Sequence, residues 1–172
     1  MSTGLLVPPV NFGMVEEGVY RMGQPGVVNL PFLQTLGLRT LVWLAVEEPK
    51  APLRSFASAH HIQIHHLGFS EGGNPWDPLT EALVIEALQV VVDGGQNYPL
   101  AISCDMGRHR TGTVVGCLRR LQGWNLASVT EEYRRYAGAR NWRVLNELHI
   151  ETFNTDGVKL PASHPLWLPS PP

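Results

Sequence analysis

Cysteine, lysine and long apolar runs are all scarce in this sequence of 172 residues. Its two cysteines are too few for a disulfide framework, so the fold has to be stabilised by a hydrophobic core. No apolar run reaches the ~18 residues of a membrane-spanning helix, which excludes a membrane span. The N-terminus has no basic segment followed by a long apolar stretch, so we expect no secretory signal and a cytoplasmic location.

The charge of the sequence is also low, with a formal net value of -2. This value offers no general attraction to polyanions, and we expect no nucleic-acid partner. Only two of the 13 basic residues are lysines, and the arginines are concentrated between positions 108 and 143. Because the planar guanidinium group suits bidentate contact with phosphate, this bias points to phosphate chemistry. The alternative is that many of these arginines lie on solvated helix faces.

The apolar residues follow a pattern of alternating strands and helices. Residues 38–46 are nearly all apolar and rich in β-branched and aromatic side chains, as in a strand that is buried on both faces. Thr80 begins a strong helix, and residues 98–104 form a second short buried strand. The alternation predicts an α/β fold with a mostly parallel central sheet flanked by helices.

One domain is expected over residues 9–156, after an N-terminal extension of residues 1–8. Within it, a helix over 128–136 is predicted to begin at a capping box formed by Ser128 and Glu131. The tail over 157–172 contains five prolines. Such a composition predicts an extended or disordered segment that does not pack as an element.

The segment from Cys104 to Arg110 follows the second buried strand directly and leads into a helix. Five intervening residues let the loop curl so that its backbone N–H groups face a centre that fits a phosphate. The helix N-terminus and Arg110 add positive potential and favour the thiolate of Cys104, which is the species that attacks phosphorus. Thr111 is predicted to donate a hydrogen bond to the sulfur. The remaining loop residues are predicted to bind substrate: Asp105, Met106, Gly107, Arg108 and His109.

Displacement at phosphorus also requires an acid that protonates the leaving oxygen, and this acid must come from another element. Asp77 is the leading candidate because it lies in a loop, NPWDP, that could close over the phosphate before the next helix. Glu71, which precedes this segment in the loop between Gly68 and Pro78, is the second candidate. Glu81 is the third, since a glutamate in the first turn of a helix is usually a solvated partner of the helix dipole.

Two other groups of residues invite a functional interpretation that the sequence does not favour. The histidines of HHIQIHH, residues 60–66, point to opposite faces of a strand and have no cysteine or carboxylate cluster beside them, so we expect no metal site and no cofactor. Cys117 has the spacing of a core residue on its helix. We expect it to pack in the core and not to act as a redox partner of Cys104.

The loop resembles the signature Cys-x5-Arg-Ser/Thr of protein tyrosine phosphatases, and its neighbourhood is similar to that of the plant and fungal atypical dual-specificity phosphatases. The resemblance covers nearly the whole domain, including NFGMVEEGVYRMGQP, LRTLVWLAVEEP and GRHRTGTVVGCLRRLQGW. It implies a single compact domain of the cysteine-phosphatase type. It also implies hydrolysis of the diphosphate group of inositol pyrophosphates, with some activity on phosphotyrosine. By position, the family's catalytic cysteine and arginine correspond to Cys104 and Arg110, and Arg108 and His109 match its basic loop residues.

The chain departs from this family at Ser103 and Asp105, where a histidine and a basic residue are usual. Both changes make the site less positive, and Asp105 opposes the thiolate unless its side chain points away. Arg140 lies where the family tends to carry a lysine, and it is either a contact for a second phosphate or a surface arginine.

The function predicted from these residues is metal-independent hydrolysis of a phosphate ester or diphosphate through a phosphocysteine. The expected partner is an inositol pyrophosphate, a phosphorylated small molecule, or a phosphoprotein. The alternative is a catalytically weak phosphate-binding regulatory module. In either case, association with copies of the chain or with related chains is a further expectation.

Overall fold

The structure is a computed structural model that describes residues 5–68 and 76–168. The strands in these ranges are β1 (Gly13–Glu16), β2 (Val19–Gly23), β3 (Thr40–Trp43), β4 (Gln63–His66) and β5 (Leu100–Cys104). The α-helices are α1 (Leu30–Leu36), α2 (Ala51–Ala59), α3 (Glu81–Val92), α4 (His109–Leu121), α5 (Leu126–Ala137) and α6 (Val144–Thr152). No helix within the described ranges is long and apolar enough to cross a membrane.

The strands form one sheet in the order β1-β2-β5-β3-β4. β1 is antiparallel to β2, and every other neighbouring pair is parallel. The predicted α/β fold with a mostly parallel sheet is therefore confirmed. Because Gly23 of β2 is opposite Cys104 and Trp43 of β3 is opposite Ser103, three strands end at the same edge of the sheet. The loops that follow parallel strands meet at such an edge, which is where α/β proteins bind their ligands.

Local sequence explains where these elements begin and end. The four residues of β3 are all buried, as its apolar run predicts, although the strand is shorter than that run. The α3 helix begins after Thr80, whose hydroxyl accepts a hydrogen bond from the backbone N–H of Leu83. The α1 helix ends at Gly37, which has a φ of 59° and so takes the left-handed conformation that favours glycine.

The prediction that a helix begins at Ser128 was wrong by two residues. The α5 helix begins at Leu126, and its cap is Asn125, whose side-chain oxygen accepts a hydrogen bond of 2.9 Å from the backbone N–H of Ser128. Asparagine is as good a cap as serine, so the earlier position takes this role and Ser128 lies in the first turn.

Residues 158–168 of the C-terminal tail form no helix or strand, as predicted, but the segment packs against the domain, which was not predicted. Val158 is 6% exposed and Leu168 is 5% exposed, and both belong to the same hydrophobic core as the sheet. The side chain of Gln89 on α3 also makes two hydrogen bonds with the backbone of Lys159, at 2.8 and 3.1 Å. Prolines prevent regular structure in this segment, but side chains from the helices supply the backbone partners that a strand would have provided.

Candidate active site

A cavity of about 170 Å³ opens at the edge of the sheet where β3 and β5 end. One wall consists of residues 45–47 after β3, and another consists of residues 104–110, which we call the anion loop. Arg143, the residue before α6, completes the lining. The cavity therefore collects side chains from three separate parts of the chain around the residue at the end of the central strand.

Cys104 is the last residue of β5 and is 7% exposed. Its sulfur accepts a hydrogen bond of 3.1 Å from the hydroxyl of Thr111, which is fully buried in the first turn of α4. The contact proposed from the sequence is thus present in the structure. A hydroxyl in this position stabilises negative charge on sulfur, both before attack on a substrate and when the sulfur leaves.

The backbone of the anion loop is held in a fixed orientation by donors from the N-terminal part of the chain. The carbonyls of residues 105–107 accept hydrogen bonds from the backbone N–H of Gln24, the amide of Asn11 and the guanidinium of Arg21, at 2.9, 2.8 and 3.2 Å. In a trans peptide the C=O and N–H groups point in opposite directions. Holding three consecutive carbonyls toward the β2 side therefore turns the following N–H groups toward the other side, where an anion can accept from them.

Gly107 allows the loop to run this close to β2. Its φ is 65°, and a Cβ at this position would lie 2.5 Å from the backbone nitrogen of Gly23. Real Cβ atoms are not found at such distances, so any larger residue would displace the loop. The sequence-based role of Gly107 in loop curvature agrees with this geometry.

The guanidinium of Arg110 uses one of its three nitrogens to bind the protein backbone. Its Nη1 donates to the carbonyls of Leu44 and Gly68, both at 3.0 Å. Its Nε and Nη2 make no hydrogen bond to the described residues and are available for two oxygens of a phosphate. Burial lowers the pKa of Arg110, and the negative charges of Cys104 and Glu47 oppose this shift. A guanidinium remains charged under these conditions.

The carboxylate of Asp105 is engaged at the rim of the cavity. One of its oxygens accepts a hydrogen bond of 3.0 Å from the side-chain amide of Gln24. The oxygen of that amide accepts from the backbone N–H of Lys50 at 2.6 Å, which fixes the orientation of Gln24. Asp105 therefore lines the cavity with its carboxylate bound to Gln24, and it makes no hydrogen bond to the sulfur among the described residues. Its charge still opposes a polyanion, but from the rim.

His109 is the residue whose ionisation departs most from expectation in this cavity. Burial, together with the positive charges of Arg143 and Arg108, lowers the pKa of His109 to about 4. Its Nδ1 lies 3.3 Å from the hydroxyl of Tyr133, and the same hydroxyl accepts from the backbone N–H of Arg143. The lowered pKa favours an uncharged His109 ring at neutral pH, so this residue adds no positive charge to the cavity there.

The cavity charge can be counted from the side chains that line it. Arg108, Arg110 and Arg143 contribute three positive charges, and Glu47 and Asp105 contribute two negative charges. With His109 neutral, the sum is +1 before Cys104 ionises. The site is positive enough for a phosphoryl group but carries acidic groups at its rim.

Other residues selected from the sequence lie outside the cavity lining. Asp77 is exposed. The preceding residue, Trp76, contacts the cavity residue Arg143, which donates to the carbonyl of Trp76 at 3.2 Å and lies 4.5 Å from the centre of its ring. Glu81 is exposed at the start of α3, and Arg140 is exposed. Glu71 lies outside the described residues.

Sequence reasoning missed two charged residues that line the cavity, Glu47 and Arg143. Glu47 follows β3 at the edge of the sheet where the other ligand-facing loops begin, so its position after a predicted central strand was a usable signal. Arg143 belongs to the arginine-rich part of the chain. Its spacing from the anion loop gives no hint of contact, because residues of α4 and α5 separate the two positions.

A family model described as the tyrosine phosphatase family matches residues 6–170 of the chain. The putative tyrosine-protein phosphatase OCA1 of Yarrowia lipolytica is 58% identical over 167 residues, which are 96% of this chain and 66% of that protein. The protein of the same name from Mycosarcoma maydis is 51% identical over 154 residues, which are 90% of this chain and 97% of that protein. The chain thus spans about two thirds of the first relative and nearly all of the second.

Solved structures of other proteins share the fold of this chain. The core catalytic domain of the PP-IP phosphatase SIW14 from S. cerevisiae, in complex with citrate, superposes with a TM-score of 0.81 and 34% identity, over 88% of this chain and 90% of that one. TpbA of P. aeruginosa superposes with a TM-score of 0.67 and 19% identity, over 86% and 88% of the two chains. The second likeness concerns the fold alone.

The lowered pKa of His109 predicts how stability depends on pH. In the unfolded chain this histidine takes up a proton below about pH 6.5, whereas the folded chain resists protonation down to about pH 4. The neutral ring of His109 therefore makes its full contribution to the free energy of unfolding above about pH 6.5. This contribution is lost as the pH falls from about 6.5 to about 4. We expect His109→Asn, whose amide can still reach the hydroxyl of Tyr133, to lose less stability between pH 7 and pH 4.5. Urea unfolding at both pH values measures the difference, and equal losses in the variant and the wild type would contradict the assignment.

Proposed function

The chain belongs to the tyrosine phosphatase family, and from this premise we propose that it removes a phosphoryl group from its substrate through a phosphocysteine at Cys104. The observation that carries the proposal is the geometry of the anion loop. Its carbonyls are held outward, its cysteine accepts a hydrogen bond from Thr111, and Arg110 lines the same cavity with two donor nitrogens that make no hydrogen bond to the described residues. Together these features form a site for a tetrahedral anion with a nucleophile beside it.

In the first step, the thiolate of Cys104 attacks phosphorus and the bond from phosphorus to the leaving oxygen breaks. Arg110 and the N–H groups of the anion loop hold the three equatorial oxygens, where negative charge spreads in the transition state. The leaving oxygen takes a proton from a carboxylic acid, for which Asp77 is the proposed donor. The products of this step are the dephosphorylated substrate and phosphocysteine.

In the second step, water attacks phosphorus and the bond between phosphorus and sulfur breaks. The electron pair returns to Cys104 as a thiolate, which the hydroxyl of Thr111 stabilises from 3.1 Å. The proton released by water returns to the carboxylate that acted as acid in the first step, and inorganic phosphate leaves. The site is then restored for another cycle.

We propose an inositol pyrophosphate as the substrate, with cleavage of its diphosphate group. The SIW14 structure, 34% identical to this chain, is that of a PP-IP phosphatase. Three arginines line the cavity, and Arg143 stands apart from the anion loop, where a second phosphate of a large substrate would lie. We propose that Arg143, and not the exposed Arg140, makes the contact with a second phosphate.

Phosphotyrosine is the second candidate substrate. The curated relatives at 51–58% identity carry the name of putative tyrosine-protein phosphatases. A net cavity charge of only +1 also suits a single phosphoryl group better than a highly charged ligand. The regulatory-module alternative is not favoured, because the carboxylate of Asp105 is bound by the side-chain amide of Gln24, which limits its effect on the sulfur.

We propose a cytoplasmic location on the basis of the two cysteines. Both are free thiols and both are buried. A nucleophilic thiol that must stay reduced suits a compartment in which thioredoxin and glutathione keep thiols in that state.

Replacing the nucleophile tests the reaction itself. We expect Cys104→Ser to lower phosphate release from phenyl phosphate and from an inositol pyrophosphate by roughly 10³-fold or more, because the serine hydroxyl is not ionised at neutral pH. The matched control is Cys117→Ala, since Cys117 is buried within α4 and does not line the cavity. Turnover that survives in Cys104→Ser, with the control also active, would remove the basis of the proposal.

The role of Asp77 as general acid is tested with a pair of leaving groups, and Glu47, the acidic cavity residue that follows β3, is compared with it. We expect Asp77→Asn to slow hydrolysis of phenyl phosphate by roughly 10²-fold, because its leaving oxygen needs a proton. Hydrolysis of p-nitrophenyl phosphate should change little, because that phenolate leaves without one. Glu47→Gln is the comparison variant, since Glu47 lines the cavity. If Glu47→Gln shows this leaving-group dependence and Asp77→Asn does not, the acid is Glu47.

A third pair of variants tests the contact to a second phosphate. A lost hydrogen bond between charged groups is worth about 1.5–3 kcal/mol, so Arg143→Gln should raise KM for an inositol pyrophosphate roughly tenfold or more. KM for phenyl phosphate should stay within about twofold of wild type, since that substrate has one phosphoryl group. Arg140→Gln is the matched control and should leave both values near wild type. A larger effect of Arg140→Gln than of Arg143→Gln would reverse the assignment.

A further inference from the structure

The buried guanidinium of Arg21 is a feature that the reaction described above does not use. Arg21 lies on β2, is 1% exposed and is among the largest fully buried side chains of the described chain. Burying a charge costs free energy unless a partner compensates it. The position of this charge therefore calls for an explanation in terms of what lies around it.

The guanidinium makes few of the contacts that it could make. Its Nη2 donates to the carbonyl of Gly107 at 3.2 Å. Its Nε and Nη1 are buried without a hydrogen-bond partner among the described residues. The guanidinium carbon, Cζ, lies 3.6 Å from the centre of the Tyr136 ring. The ring attracts the cation but accepts no conventional hydrogen bond. Arg21 thus keeps its charge with two unused donor atoms.

Arg119 shows how the same chain treats another buried arginine. Its guanidinium is paired with the carboxylates of Glu16 and Glu132, at 2.6 and 2.9 Å, and also donates to Gln122 and to the carbonyl of Val15. The described part of the chain gives Arg21 no such carboxylate contact. Glu132, the acidic residue with an electrostatic influence on Arg21, is already held by Arg119.

The location of Arg21 indicates which group its positive charge stabilises. Nη2 lies 3.6 Å from the position that a side chain on Gly112 would occupy, so the guanidinium lies between the anion loop and the first turn of α4. Burial lowers the pKa of Arg21 to about 10, and the negative charges that Tyr136, Glu132 and Cys104 can carry oppose this shift. The guanidinium therefore stays charged at neutral pH, within electrostatic reach of Cys104.

We propose that Arg21 is a positioning residue that stabilises the Cys104 thiolate from beneath the anion loop, both by its buried charge and by holding the carbonyl of Gly107 away from the sulfur. The inference rests on the proposed role of Cys104 as nucleophile. Arg21 is separated from the substrate side by the loop, so its effect is present before substrate binds. This distinguishes it from Arg110, which lines the cavity and is proposed to bind the substrate itself.

Several other charged or titratable groups act on the same sulfur, and the test has to separate them from Arg21. Asp105 and Glu47 oppose the thiolate, and Thr111 donates a hydrogen bond to it. The remaining groups that line the cavity beside Cys104 are Arg108, His109, Arg110 and Arg143. None of these residues is substituted in the Arg21 variants, so each variant keeps the same set of other charged groups.

The test is the pH dependence of Cys104 alkylation by iodoacetamide, measured in a Cys117→Ala background so that one thiol reports. An opposite charge nearby shifts a pKa by roughly one to three units, so Arg21→Met should raise the alkylation midpoint by roughly one pH unit or more. Arg21→Lys, which keeps the charge, should shift it much less. Arg119→Met is the matched control for loss of a buried arginine and should leave the midpoint unchanged. An unshifted midpoint in Arg21→Met would overturn the inference.

A second measurement needs no change at Arg21 and covers the case in which Arg21→Met does not fold. The ¹⁵N resonance of Arg21 Nε is followed by NMR while Cys104 is titrated. We expect it to move with the alkylation midpoint of Cys104 and to stay fixed over the same pH range in Cys104→Ser. An Arg21 Nε resonance whose position does not change as Cys104 titrates would refute the inference. A wild-type midpoint near that of a free cysteine, about 8.5, would instead count against the proposed nucleophile.

Discussion

The hydrogen bonds that hold the carbonyls of residues 105–107 outward determine what the rest of the site can do. They come from Gln24, Asn11 and Arg21, all in or beside the first two strands. A loop of seven residues would otherwise be free to turn its carbonyls toward the cavity, where they would repel a phosphate. Gly107 allows the close approach that these bonds require. Gly23, which is opposite Cys104 in the register, has no side chain and so leaves room for the loop beside β2. The N-terminal strand pair is thus a part of the active site.

The electrostatics of the cavity follow from this arrangement. Because the backbone supplies positive potential through N–H groups and the helix N-terminus, the side chains do not all have to be basic. Asp105 can occupy a position next to the nucleophile because Gln24 binds its carboxylate at the rim. Burial lowers the pKa of His109 and so favours its neutral ring, and the positive charges of Arg143 and Arg108 act in the same direction. The result is a cavity with a net side-chain charge of +1 before Cys104 ionises.

The sequence was sufficient to predict the α/β sheet, the strand that ends at Cys104 and the contact between Thr111 and the sulfur. These features depend on local patterns: apolar runs of strand length, and a loop of fixed spacing between a strand and a helix. It was not sufficient for the packing of the tail, where Val158 and Leu168 join the core through contacts with distant helices. Nor could it place Arg143 or Glu47 in the cavity, or show that Arg21 lies beneath the loop. Those positions depend on which loops meet at the edge of the sheet and on the register of β2 against β5.

The central claim is that the phosphoryl group passes through a covalent bond to Cys104. It is tested most directly by mixing the enzyme with an excess of substrate, quenching within the first turnover and identifying the modified peptide by mass spectrometry. The account predicts a phosphorylated Cys104 that forms before phosphate is released and decays as turnover ends. Turnover with no phosphate on Cys104, or with the phosphate on another side chain such as His109, would contradict it.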